Sequence, residues 1–171
     1  MQLNDMNRDQ LLEYCTQLRY CPDTGLRNQT AARLENKLIP QDYALLLIDI
    51  GNIHALNHSR GWSETNSRLH MSVLTLRHYD LAFRWGGDEF VAIVPWNDAE
   101  GLIRRLMRNL CKQDMYAVIV KVRTSTSLKE SFERADESLR MRKQWLETTG
   151  RKPGRNEDYR RLRNSVIRKD G

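Results

Sequence analysis

The chain has 171 residues, of which 40% are hydrophobic and 29% charged, and a formal net charge of +6. That length accommodates one domain with a real core plus tails, and the composition is not that of a disordered or membrane-embedded chain. The positive excess points to an acidic partner, whether nucleotide, nucleic acid or anionic lipid, and does not choose among them.

Leu11, Leu12, Cys15 and Leu18 recur at helical spacing and predict a leading helix that ends near Cys21-Pro22. A second helix is expected around Ala31, Leu34 and Leu38. Tyr43 to Ile50 is a compact apolar run broken at Asp49, the pattern of a strand buried on both faces with a carboxylate at its carboxyl end. Helical stretches follow near Ile53 to Asn57 and around Leu69, Val73 and Leu76. Leu81 to Arg84 and Phe90 to Val94 read as short strands joined through Gly86-Gly87. Paired glycines signal a hairpin, because tight turns use positive φ that glycine adopts without steric cost. Beyond Pro95, the spacing of Leu102, Ile103, Leu106, Met107 and Leu110 predicts a helix, Ala117 to Val122 a strand, and Leu128, Phe132, Ala135 and Leu139 a last helix.

This order predicts an α+β fold, a palm-like sandwich with a central, mostly antiparallel sheet flanked by helices. Residues 1–21 are expected as the leading helix, 22–150 as the one domain, and 151–171 as a solvated basic tail. The longest apolar stretch, Ala44 to Ile48, is too short to span a bilayer, and the start lacks a signal-peptide core, so the expected location is the cytoplasm. Cys15, Cys21 and Cys111 are odd in number and lack metal-ligand spacing, which reads as reduced thiols.

Asp49 ends the first core strand and Asp88 sits on the hairpin; if the two strands are neighbours, their carboxylates converge at one edge of the sheet. Converging hard oxygen ligands bind Mg²⁺ or Mn²⁺, which bridges triphosphate oxygens and supports phosphoryl transfer. The same residues also suit plainer roles, Asp49 as a helix cap and Asp88 as a turn residue. Neighbouring residues in a strand face opposite ways, so Asp88 and Glu89 are expected to differ, one holding metal and the other supporting it.

Gly86-Gly87-Asp88-Glu89-Phe90 reproduces the pentapeptide for which GGDEF domains, the diguanylate cyclase family, are named. Other segments resemble the family too: Arg84-Trp85 its Arg-Tyr, Thr24-Gly25-Leu26-Arg27-Asn28 its Thr-Gly-Leu-x-Asn turn, and Ala135-Asp136-Glu137-Ser138-Leu139 with Lys143 its last helix. The resemblance runs from about Pro22 to about Lys143. It implies Asp49, Asp88 and the Ile50 carbonyl as metal ligands, Glu89 beside the reacting centre, Asn57 on guanine and Lys143 on the triphosphate. Lys143 also reads as a solvated helix lysine. Arg77-His78-Tyr79-Asp80 stands at the spacing of the family's inhibitory Arg-x-x-Asp site for cyclic dinucleotide product; an exposed Arg77 and Asp80 ion pair is the alternative.

The departures concern substrate more than metal. Gly51 replaces an aspartate, His54 a phosphate-binding lysine, and Asn66 a guanine-reading aspartate, while Glu147 falls where an arginine is expected. An amide offers both a donor and an acceptor, so Asn66 predicts relaxed purine choice, GTP and possibly ATP. The reading implied is a nucleotide cyclase: two chains, each with one nucleoside triphosphate on Mg²⁺ or Mn²⁺, meet as a homodimer and form a cyclic dinucleotide such as c-di-GMP, releasing pyrophosphate. Control is expected from expression, dimerisation through the leading helix, product inhibition or a separate regulatory protein. The alternatives are an inactive module that binds nucleotide or c-di-GMP and signals by protein contact, and a related cyclase making another cyclic oligonucleotide. A nucleic-acid anchor in the tail is weaker, since no reading motif accompanies it.

Overall fold

The structure, a computed structural model, describes residues 6–34, 42–79, 81–124 and 127–151. Its helices are α1 (Arg8–Gln17), α2 (Gln29–Leu34), α3 (Ile53–Arg60), α4 (Trp62–Val73), α5 (Ala99–Lys112) and α6 (Leu128–Thr149), with a 3₁₀ turn over Leu74–His78. The strands are β1 (Arg27–Asn28), β2 (Tyr43–Gly51), β3 (Ala82–Arg84), β4 (Glu89–Pro95) and β5 (Tyr116–Arg123). They form one sheet in the order β1-β3-β4-β2-β5, antiparallel except for β1 against β3. The fold is the expected α+β arrangement of a mostly antiparallel sheet flanked by helices.

Strand β2 lies inside the sheet and shows why its sequence does not alternate. Ala44, Leu46, Ile48 and Ile50 enter the core shared with Leu69 and Val73 of α4 and with Leu102, Ile103, Leu106 and Leu110 of α5. Leu45 and Leu47 enter a second core with Ala31 and Ala32 of α2 and with Leu128, Ala135, Leu139 and Leu146 of α6. Both faces of the strand are therefore dry. Each fully buried Leu or Ile contributes about 1.5–3 kcal/mol, so β2 and its neighbours anchor the fold. Asp49 interrupts this run at the strand's exit, on the α6 side by the strand's alternation.

The leading helix is shorter than its spacing predicts. Asn7 and Gln10 form a capping box at its start, and it stops at Gln17 with no buried residue. The carbonyls of Leu18 and Arg19 are taken by the side chain and backbone of Asn28, at 2.6 and 2.7 Å, which folds the chain into a Tyr20–Arg27 bridge. The helical stretch that follows β2 is divided at Gly61, whose φ is 83°, so α3 and α4 are separate helices and Leu76 belongs to the 3₁₀ turn. Leu38, Asp80 and residues 152–171 lie outside the described residues.

Candidate active site

Antiparallel pairing of β2 with β4 sets Asp49 directly opposite Glu89. Directly opposed residues project to the same face, so it is Glu89, rather than Asp88, that shares a face with Asp49. Asp88 joins the same corner through its backbone, its carbonyl accepting from the Ile50 N–H at 2.9 Å. Helix α3 is capped by Asn52 with no side-chain bond, so Asp49 does not serve as its cap. Its partner comes from α6, where Lys143 follows Leu139 by one helical turn and reaches the sheet edge. Lys143 Nζ donates to Asp49 Oδ2 at 2.5 Å, with the aspartate side chain 14% exposed. Lys143 is therefore paired at the sheet edge while its side chain stays 42% exposed.

Burial, then the charges of Asp49 and Asp88, hold the Glu89 carboxyl above its ordinary range, against the pull of Lys143. Burial pushes the Lys143 ammonium down, but its bond to Asp49 and the surrounding carboxylates outweigh this and hold it up. Among the described residues no three His, Cys, Asp or Glu side chains already stand at metal-ligand spacing. The donor chemistry still fits a hard divalent cation, because carboxylate oxygens are crowded at one strand end with more negative charge than one ammonium balances. Asp49, Asp88 and the Ile50 carbonyl are the residues that would hold such an ion.

The hairpin between β3 and β4 is present, but its glycines are there for another reason than expected. Neither Gly86 nor Gly87 has a left-handed φ; among the described glycines only Gly25, Gly61 and Gly150 do. The loop is closed by a side chain instead. Arg84 Nε donates to the Gly86 carbonyl at 3.2 Å and Nη2 to the Gly87 carbonyl at 2.8 Å, while the N–H groups of Trp85 and Gly86 both bond the Glu89 carbonyl. Arg84 Nη1 in turn donates to Asp23 Oδ2 at 2.8 Å and to Cys21 Sγ at 3.0 Å. Burial raises the Cys21 thiol, but its bonds with Thr24 and Arg84 and the guanidinium charge leave it below its ordinary value. Trp85 packs on Phe132 of α6 with ring centroids 4.4 Å apart. A cavity of about 430 Å³ runs along this flank of the loop, lined by Tyr20, Asp23, Arg84, Trp85, Gly86 and Gly87 among others.

The remaining predicted residues fall in different settings. Asn57 on α3 has a buried Oδ1 with no hydrogen-bond partner, an acceptor kept waiting. Asn66 on α4 donates from Nδ2 to Asp23 Oδ1 at 3.4 Å. His54 is exposed on α3. Arg77 is exposed and folds back along the surface, donating from Nε and Nη2 to the Thr24 carbonyl at 3.0 and 2.5 Å. Asp23 and Cys21 had no role in the sequence reading. The only hint in the chain was a carboxylate two residues from a cysteine just before the Thr-Gly turn.

Residues 23–124 match the family described as diguanylate cyclase, GGDEF domain. The chain belongs to the GGDEF-domain family. It is similar to the diguanylate cyclase DgcM of Escherichia coli, at 37% identity in an alignment of 83 residues, with 42% of this chain and 20% of that relative covered. In fold it resembles the diguanylate cyclase SiaD of Pseudomonas aeruginosa, solved with its activator SiaC, at a TM-score of 0.58 and 22% identity over 78% of this chain and 62% of that one. The coiled coil and GGDEF domain of DgcB from Caulobacter crescentus, solved in complex with c-di-GMP, gives a TM-score of 0.56 at 17% identity over 84% and 90% of the two chains. No helix among the described residues of this GGDEF chain is long and apolar enough to cross a membrane.

Proposed function

We propose that this GGDEF protein is a diguanylate cyclase, joining two molecules of GTP into c-di-GMP with release of pyrophosphate. The observation that carries the reading is the crowded sheet edge, where Asp49 faces Glu89 beside Asp88 and draws Lys143 from α6. A bound Mg²⁺ or Mn²⁺ would supply Lewis-acid stabilisation of phosphate charge there. Lys143 turns its ammonium to the triphosphate, and Glu89, whose raised carboxyl suits proton transfer nearer neutrality, takes the proton of the 3′-hydroxyl. The 3′-oxygen bonds the α-phosphorus of the other nucleotide and the bond to the β-phosphate breaks. Each chain holds one nucleotide, so closing the ring requires two copies.

For the base, Asn66 Oδ1 is an acceptor, which suits the N1–H and N2–H donors of guanine and mismatches adenine N1, and Asn57 Oδ1 adds a second acceptor once its buried carboxamide turns outward. This reading favours guanine over the relaxed purine choice expected from a freely rotating Asn66, and the two are separated by the products made. One observation favours a second reading, a binding module without turnover: His54, exposed on α3, makes no hydrogen bond or ion pair among the described residues and is a poor substitute for a phosphate-binding lysine.

Product mass spectrometry on GTP and ATP together, with Mg²⁺ or Mn²⁺, tests both points. The wild type is expected to make c-di-GMP and Asp88→Ala to lose at least about 100-fold in rate while remaining folded. Absence of any product at high protein concentration, with retained binding of c-di-GMP, overturns the cyclase reading in favour of the module. Adenine-containing products in quantity overturn the base assignment.

A further inference from the structure

Helix α5 is apolar on one side and basic on the other. Leu102, Ile103, Leu106 and Leu110 pack into the core, while Arg104, Arg105, Arg108 and Lys112 are exposed. Between Gly101 and Gln113 the chain has no Asp or Glu. The nearest carboxylates in sequence on either side are already engaged, Glu100 with Lys121 and Asp114 with Arg60 and Arg68.

Arginines elsewhere in the fold do find carboxylates, as Arg60, Arg68, Arg84, Arg123 and Arg140 show. On α5 itself, Arg105 donates from Nη2 to the Tyr79 hydroxyl at 2.9 Å. Arg104, Arg108 and Lys112 make no hydrogen bond or ion pair among the described residues. Residues four apart on a helix are neighbours about 6 Å apart along its axis, so these three form one row. Both adjacent pairs in the row carry like charge, which destabilises a helix. A row that costs the fold and meets nothing within it points to a partner outside.

The chemistry of the row narrows that partner. None of the large exposed hydrophobic residues among those described lies on α5. The face therefore has no apolar anchor for a lipid surface and no ring on which a base could stack. It offers two planar forks and a point charge at helical spacing. Carboxylates at positions i, i+4 and i+8 of a second helix stand at the same spacing, and an arginine holds a carboxylate through two parallel bonds.

We propose that the outer face of α5 is a docking surface for an acidic helix of another protein, with Arg104, Arg108 and Lys112 each receiving one carboxylate. Helix α5 packs on the sheet face opposite α6, which carries Lys143 to Asp49, so a helix docked there leaves the carboxylate corner open. The surface goes beyond the cyclase reading and stands whether or not the chain turns over nucleotide.

The probe is an alanine-based helical peptide with glutamate at every fourth position, titrated into the full chain at low ionic strength and followed by backbone amide resonances. The wild type binds it, with shifts centred on α5. Arg104→Gln combined with Arg108→Gln weakens binding about 10-fold. The same double variant does not lower the melting temperature, since the like-charge pairs are gone. A peptide of equal composition whose glutamates point to different sides of the helix binds about 5-fold more weakly. No binding, shifts centred elsewhere, equal binding by the double variant, or equal binding of the two peptides overturns the proposal. So does duplex DNA, or a phosphatidylserine vesicle, that binds the wild type more tightly than the peptide and loses that binding in the double variant.

Discussion

Two glycine loops, each clasped by an arginine, stand side by side in this protein and use their glycines for opposite reasons. In the turn before β1, Gly25 has a φ of 65°, and a Cβ there would lie 2.5 Å from Arg77 Nη2. The backbone demands the glycine, and a side chain there would push the Arg77 fork aside. In the hairpin before β4, Gly87 meets neither demand, although Arg84 clasps that loop as firmly as Arg77 clasps the first. A glycine imposed by the fold and a glycine that leaves space look identical in a sequence and separate only when φ and the surrounding atoms are known.

Gly25→Ala is expected to have the largest effect on stability. A left-handed L-residue costs about 1–2 kcal/mol, and displacing Arg77 from Thr24 adds to it. Melting should fall by roughly 5 °C, read by circular dichroism. A fall no larger than that of Gly87→Ala would erase the contrast. Arg77→Ala comes next, at about 1 kcal/mol for the lost bonds to the buried Thr24. Because both substitutions break the same clasp, Gly25→Ala combined with Arg77→Ala should cost less than the two added together.

The smallest expected effect has the opposite sign and belongs to the second loop. Glu89 has a folded pKa above its unfolded value, so the native state binds the extra proton and stability falls as pH rises through the folded value. At neutral pH the charged carboxylate is a cost, and Glu89→Gln should raise the melting temperature by roughly 1–3 °C. Below the unfolded carboxyl range the gain should vanish, since Glu89 is then protonated. A gain independent of pH would locate its origin in packing rather than charge.

Much of the architecture was legible because it is written in local periodicity. The unbroken apolar run of β2 gave away a strand dry on both faces, and the stripe of α5 gave away its inward side. The two-residue strand β1 carries no period and exists through its pairing with β3, so nothing local marks it. At the site, Asp49 was legible as a carboxylate at a strand end, but its partner Lys143 lies 94 positions away. Glycines at 86 and 87 were read as a turn requirement, since positive φ is the commonest local reason for them. The true closure comes from an arginine fork whose reach cannot be inferred from neighbouring residues. Nothing local marks Cys21 and Asp23 for the same reason, since 63 and 61 positions separate them from Arg84.

The Asp49–Lys143 ion pair makes the sheet edge a single thermodynamic unit. Any cation that takes Asp49 sets an ammonium free, and any anion that takes Lys143 leaves a carboxylate bare. Each event lowers the cost of the other, and linkage makes the benefit reciprocal and equal in both directions. A cation and a polyphosphate arriving as one complex would exchange partners with the pair, whereas either alone would leave one member of the pair without a counter-charge. The last helix of the domain would thus work as a counterweight, tying the arrival of positive charge on the sheet to the arrival of negative charge beside it.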